Sequence, residues 1–276
     1  MQVIEGASVL VTGAASGLGA LFARRAADGG AARLSLWDVD AAGAQRVADA
    51  LARPGLSVSV HEVDLSSLEA IEFAAETVLA QGAPDVVINN AGIVRGAPFW
   101  DHDQRRDIEA TIRVNTLAPM HLTRALLPAM MEDHSRPKRV LNIVSAAGTL
   151  PNPNMSVYAA SKWALLGWSE SVRLELQKHD YGHVGVTAFC PSYISTGMFE
   201  GARGPLLTPI MTPDRAADAA WQGMIAGRAV ITKPWTVKFA MAMRGVLPTP
   251  AWDFVAERMG VYSSMDQFVG RQALKR

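Results

Sequence analysis

Cysteine is almost missing from this chain: of 276 residues only Cys190 carries a thiol, which excludes an internal disulfide framework. An excess of one charge is missing too, since Lys and Arg number 26, Asp and Glu number 26, and the formal net charge is zero. Such a chain has no bulk attraction for nucleic acid or for an anionic bilayer. The histidines include no pair at convincing metal-ligand spacing. His179 and His183 are four apart, but Gly182 interrupts the helix that would align them, so a solvated pair and no metal are expected. No apolar run reaches the roughly 18 residues of a membrane span, and Met1 to Gly6 lack the basic start and apolar core of a signal peptide. A soluble, cytoplasmic protein is the expectation. Repeats, low-complexity tracts and interdomain linkers are absent as well, and an apolar content of 49% suffices for one large core. Residues 1–276 are therefore read as one domain.

What the chain does have is alternation. Short β-branched runs at 8–12, 34–38, 58–63, 86–89, 139–145, 185–190 and, as the weakest, 230–232 are separated by longer helical patterns. That is the signature of a parallel sheet covered by helices on both faces. The first helix is expected between the Gly17 to Gly19 turn and Gly29-Gly30. Ser66 and Glu69 have capping-box spacing, and Thr212 precedes Pro213 at a later helix start. A long helix over 157–178 is expected to bury Leu165, Leu166, Val172, Leu174 and Leu176. Segment 192–213, rich in Gly and Pro and directly after a strand, reads as a substrate lid. The apolar stretch from Trp235 to Val255 is broken by Lys238, Arg244, Pro248 and Pro250. With the extension to residue 276 it reads as a lid or a subunit interface rather than a membrane contact, because Phe239, Trp252 and Phe254 would otherwise be exposed.

Chemistry gathers at the strand ends. Thr12-Gly13-Ala14-Ala15-Ser16-Gly17-Leu18-Gly19 lies between the first strand and first helix, where glycines let backbone approach a pyrophosphate at a helix N-terminus. Asp38 ends the second strand, 19 residues beyond Gly19, where a carboxylate can accept hydrogen bonds from ribose hydroxyls. A carboxylate there repels the 2′-phosphate of NADP, so NAD is the expected cofactor. Asp64-Leu65 and Asn89-Asn90-Ala91-Gly92 deliver further polar groups to the same edge. Tyr158 and Lys162 are four apart and share one helix face. A neighbouring ammonium and an oxidised nicotinamide ring would lower the phenol pKa and fit it for proton transfer. Ser145, at the end of an apolar run, should emerge beside them. Cys190, at a strand end without a histidine motif, reads as core.

Together, Thr12 to Gly19, Asn89-Asn90-Ala91-Gly92, Ser145 and Tyr158-Ala159-Ala160-Ser161-Lys162 resemble the short-chain dehydrogenase/reductase family over roughly residues 8 to 200. The resemblance implies an α/β, doubly wound Rossmann fold with a seven-stranded parallel sheet in the order 3-2-1-4-5-6-7. It implies a dinucleotide held by Gly13, Ser16, Gly17, Leu18, Gly19, Asp38, Asp64, Leu65, Asn90, Ala91 and Gly92, then by Tyr158, Lys162, Pro191, Ile194 and Thr196. Asp64 would contact the adenine, Asn90 would support the cofactor and Thr196 would contact the nicotinamide carboxamide. Asn115, which the residues alone would place facing solvent, takes from the resemblance the role of holding a water that links Lys162 to solvent. The family often has Pro-Gly after its sixth strand, whereas this chain has Pro191-Ser192. The family also pairs its long fifth and sixth helices across subunits, so a homodimer or homotetramer is expected.

A narrower likeness runs to the retinol and hydroxysteroid dehydrogenase branch through Leu36-Trp37-Asp38, the run from Cys190 to Phe199, and Ser264 to Gly270. Animal members of that branch often carry an N-terminal membrane anchor, and no such segment is recognised here. A soluble enzyme with a related pocket is expected rather than a retinoid enzyme as such. Ser145, Leu150, Met155, Tyr158, Tyr193, Met198 and Phe199 are the expected substrate contacts, with Phe99, Val157, Leu206, Leu207, Ile210 and Met211 nearby. Arg95 and Arg203 are the only charges in those segments considered for an anionic group. The substrate should be a bulky apolar alcohol or ketone. Two alternatives are a 3-oxoacyl-carrier-protein reductase on the same fold and a noncatalytic dinucleotide sensor.

Overall fold

The β-branched runs pair edge to edge in the computed structural model, which describes residues 3–206 and 208–270. The strands are β1 (Ser8–Thr12), β2 (Arg33–Asp38), β3 (Ser57–Glu62), β4 (Val86–Asn89), β5 (Lys138–Ile143), β6 (Val184–Pro191) and β7 (Val230–Lys233). All pairings are parallel, and the order is β3-β2-β1-β4-β5-β6-β7. The order reverses between β1 and β4, which opens a crevice at the carboxyl edge there. Strand β5 stops two residues before Ser145, whose side chain instead caps a single 3₁₀ turn, Ala146–Gly148.

Alternation within each strand sorts the core into two layers. Val9, Val11, Leu34 and Leu36 face α1 (Gly17–Asp28), α2 (Ala41–Leu51) and α7 (Pro213–Ile225), where the Phe22 and Trp221 rings stack with centroids 6.5 Å apart. Leu10, Trp37, Val87 and Val140 face α3 (Leu68–Leu79) and α5 (Ala118–Glu132), with Leu176 of α6 (Ser156–Lys178). Ser67 rather than Ser66 caps α3, accepting from the Ala70 N–H. Leu174 is 54% exposed, because α6 turns that position away from the sheet. His183, four beyond His179, packs its ring 4.0 Å from that of His134. At the amino edge, buried Lys138 pairs with Asp85 and Asp133, on the side of the sheet away from the crevice.

Between β4 and α5 the backbone is underwound: π turns at Gln104–Glu109 and Arg113–Leu117 flank the short α4 (Ala110–Ile112). Such bulges expose backbone and re-aim side chains. Beyond β7, α8 (Trp235–Val246) and α9 (Thr249–Arg258) lead into a tail that binds back on segment 192–213. The Arg203 N–H donates to Ser264 O, that of Leu206 to Met259 O and that of Val269 to Glu200 O. Phe239 and Phe254 are exposed, but Trp252 is only 4% exposed because it packs with Leu150 and Ala256. No described helix is long and apolar enough to cross a membrane. Leu207 and residues 271–276, part of the expected lid and tail, lie outside the described residues.

Candidate active site

A cleft opens over the carboxyl ends of β1, β2, β4 and β5. Its floor is the glycine turn. Gly13 adopts φ +65°, and a Cβ at Gly19 would lie 2.0 Å from Gly13 O and 2.8 Å from Asn90 Nδ2, so only glycine permits this approach. Asn90 braces the turn by donating to the Thr12 and Gly13 carbonyls at 2.9 and 3.2 Å, while Thr12 Oγ1 accepts from the N–H groups of Asn90 and Ala91. Asp38 joins the same structure: one carboxylate oxygen accepts the Ala15 N–H and the other the Asp40 N–H, each at 2.9 Å. Both oxygens keep spare lone pairs. Asp40 also lines the cleft, with Arg46 3.8 Å from its carboxylate, so the rim is acidic with one cation behind it. A backbone cradle that excludes Cβ atoms, at a helix N-terminus and beside a carboxylate, fits a dinucleotide pyrophosphate and ribose.

Toward β5 the cleft reaches buried Tyr158 and Lys162, one turn apart on α6. The ammonium lies 5.8 Å from the centre of the phenol ring and donates to Ile143 O at 2.8 Å. Burial raises the Tyr158 pKa, opposed by a hydrogen bond with Ser145, and it lowers Lys162 to about 8. In the protein alone, desolvation is the largest effect on the phenol and acts against the fall expected beside the ammonium and an oxidised nicotinamide. The Ser145 hydroxyl also accepts from the Ala147 N–H at 3.1 Å. Asn115 is fully buried in the second π turn, not solvent-facing. It clamps the Ile93 backbone, accepting its N–H and donating to its carbonyl at 2.8 Å each, and donates to Ser161 Oγ at 3.1 Å. Cys190 packs on Val144 and Leu165, and burial pushes its thiol up to about 12, which suits the core role.

Ser145, Ser192 and Phe199 also line a second, apolar pocket. Its walls are Leu150, Met155 and Tyr193, together with Pro151, Asn152, Pro205, Thr208, Thr236, Val237, Ala240 and Val261. No charged side chain is among the described residues lining it. Phe199 stands edge-on between two phenols, 5.9 Å from the Tyr158 ring and 5.5 Å from that of Tyr193.

Of the anticipated cofactor group, Gly13, Ser16, Gly17, Leu18, Asp38, Asp64, Leu65, Asn90, Ala91, Gly92, Tyr158, Lys162, Pro191, Ile194 and Thr196 line the cleft. Gly19 lies behind the turn that it permits. Of the anticipated substrate group, Met198 and Tyr158 face the dinucleotide cleft, not the apolar pocket. Phe99, 59% exposed, and the exposed Leu206 and Ile210 line neither cavity. Arg95 instead lies 3.7 Å from Asp107. Asn152, Thr236, Val237, Ala240 and Val261 escaped the sequence reading; the last four belong to an extension whose apolar pattern announced a lid without revealing which face lay inward.

The profile described as short chain dehydrogenase matches residues 7–205. Epidermal retinol dehydrogenase 2 of Mus musculus is 34% identical over 275 residues, covering 98% of this chain and 87% of the relative. Estradiol 17-beta-dehydrogenase 11 of Homo sapiens is 30% identical over 246 residues, covering 89% of this chain and 80% of the relative. Among solved structures, a metagenomic short-chain oxidoreductase in complex with NADP is 33% identical with a TM-score of 0.68, covering 83% of this chain and 96% of the other.

Proposed function

The chain belongs to the short-chain dehydrogenase family, and from that premise we propose that it is an NAD-preferring oxidoreductase interconverting an apolar, bulky secondary alcohol and its ketone, with Tyr158 as general acid and base. One observation carries this reading: Ser145, whose hydroxyl acts on the Tyr158 phenol, lines both the dinucleotide cleft and the apolar pocket. A substrate oxygen on Ser145 lies within reach of the Tyr158 proton while its apolar body fills the pocket. The dinucleotide, when bound, accepts or supplies the hydride.

In ketone reduction the neutral Tyr158 phenol donates its proton to the carbonyl oxygen. In alcohol oxidation it must first lose that proton, which the Lys162 ammonium favours. Lys162 can also donate to a nicotinamide ribose, and Asn115, by fixing Ile93, keeps the β4 loop against this corner. The retinol and estradiol activities in the names of the two relatives support an apolar alcohol. The acidic pair Asp38 and Asp40 supports NAD, although the metagenomic relative is seen with NADP. The chain acts as one domain in this reading, with 192–213 and the tail from 235 closing the pocket, in a soluble cytoplasmic dimer or tetramer. Light scattering at micromolar protein should exceed the 29.5 kDa monomer; a purely monomeric species would refute the assembly.

Absorbance at the reduced-nicotinamide band, with NAD or NADP and a panel of long-chain secondary alcohols, tests the activity. Turnover rising with chain length and faster with NAD is expected. A chain that turns over none of them, or that prefers short polar alcohols, contradicts the proposal.

A further inference from the structure

One end of the apolar pocket is closed by a polar cluster. Asn152 follows the Ser145 turn, Tyr193 follows β6, and Ser264 comes from the tail; Asn152 and Tyr193 line the pocket, and buried Ser264 stands behind them. Their hydrogen atoms can be counted. Ser264 has one and donates it to Val261 O at 2.7 Å. The Tyr193 proton then goes to Ser264 Oγ at 2.8 Å. Asn152 Nδ2 uses both of its hydrogens, one on Tyr193 Oη and one on Ser264 Oγ, each at 3.1 Å. Every donor in the cluster is committed. Among the described residues, what remains is an acceptor, Asn152 Oδ1, whose neighbouring hydroxyl, Ser264 at 3.5 Å, has already given its proton to Val261.

This cluster is separated from the reacting phenol by Phe199, which meets the Tyr158 ring on one side and the Tyr193 ring on the other. We infer that Asn152 Oδ1, positioned by Tyr193 and Ser264, is a second polar subsite that accepts a hydrogen bond from a hydroxyl at the far end of an otherwise apolar substrate. The inference rests on the proposed alcohol oxidation and narrows its substrate to a compound with two separated oxygens, of which the distal one is a donor. A carbonyl or carboxylate at that end would meet an acceptor and find no partner, at the cost of its own desolvation.

The test compares pairs of one chain length, such as octan-2-ol with octane-1,7-diol, decan-2-ol with decane-1,9-diol and dodecan-2-ol with dodecane-1,11-diol, alongside the matching ω-oxo and ω-carboxylate compounds. With saturating NAD, one length of diol should exceed its plain alcohol in kcat/KM by about three- to ten-fold, the size of one neutral hydrogen bond, chiefly through KM. The oxo and carboxylate compounds should fall below the plain alcohol. Asn152→Ala should erase the diol advantage, measured against the plain alcohol of the same length in the same variant, and Tyr193→Phe, which keeps the ring, should reduce it. Calorimetric binding of the same pairs to the NAD-saturated protein reads the subsite without turnover. Absent turnover with a preserved diol preference in binding rejects the reaction and keeps the subsite. No diol preference at any length in either assay, a preference for the oxo compound, or a preference that survives Asn152→Ala overturns the inference.

Discussion

The two ends of the crevice are built in opposite ways. The cofactor edge is made of strand-end turns, each a few residues long: backbone N–H groups, three carboxylates and glycines that admit no side chain. The substrate end is made of irregular segments brought together from far apart, with Asn152 and Tyr193 separated by 41 positions, Tyr193 and Ser264 by 71, and Asn152 and Ser264 by 112. A dinucleotide has one shape, and a backbone cradle can be fixed to it. Substrates differ, and side chains from separate loops can change without disturbing the sheet.

Substitutions should therefore act differently at the two ends. At the cofactor edge the largest effect is expected at Asp38. Charges of one and two about 5 Å apart, at an effective dielectric near 20 and after screening, leave roughly 2 to 4 kcal/mol against NADP, or about 30- to 1,000-fold in kcat/KM. Asp38→Ser should close most of that gap by improving NADP; equal values in the wild type would place the ribose elsewhere. Gly19→Ala comes next, since its Cβ must displace the Gly13 carbonyl. A cost of about 1–3 kcal/mol predicts a 5- to 150-fold loss of NAD affinity by calorimetry, and wild-type affinity would deny the cradle its role.

Lys162 sits where the two ends meet, and its effect should oppose function. Burial lowers it from the ordinary 10.5 to about 8, so its charge destabilises the fold at neutral pH. Lys162→Met should abolish turnover yet raise stability at pH 7 by about 1–3 kcal/mol, the lost bond to Ile143 O offsetting part of the gain. Because the unfolded chain binds the extra proton between about pH 8 and 10.5, wild-type stability gains from this group as pH rises through that window, and the advantage of Met should shrink there. Chemical denaturation at pH 7 and pH 10 checks the sign; a destabilised variant at both would refute it. The smallest effect is expected at the substrate end. Ser264→Ala should cost about 1 kcal/mol in the same assay and leave NAD affinity unchanged; a large loss of NAD affinity would join the two ends into one unit.

The same contrast explains what could be read from the sequence. Strands β1 to β7, the Gly13 to Gly19 turn, Asp38, Tyr158 and Lys162 were legible because their signals are local: alternation, a glycine spacing, a four-residue helical step. Asn115 was not, because a buried amide and an exposed one look alike until a π turn aims one inward. Trp252 and Leu174 were misplaced for a related reason, since periodicity gives an apolar face but not which neighbour covers it. Asn152 left no signal, and Ser264 showed only as part of the 264–270 likeness, because the role of each comes from residues many positions away.

The central claim is that Tyr158 moves the proton where the two cavities meet. Tyr158→Phe keeps the ring against Phe199 and removes only the hydroxyl. With NAD and the best alcohol of the panel, kcat should fall by about 10²- to 10⁴-fold while calorimetric NAD affinity stays within about twofold. A variant that retains more than about a tenth of wild-type kcat would contradict that role for Tyr158.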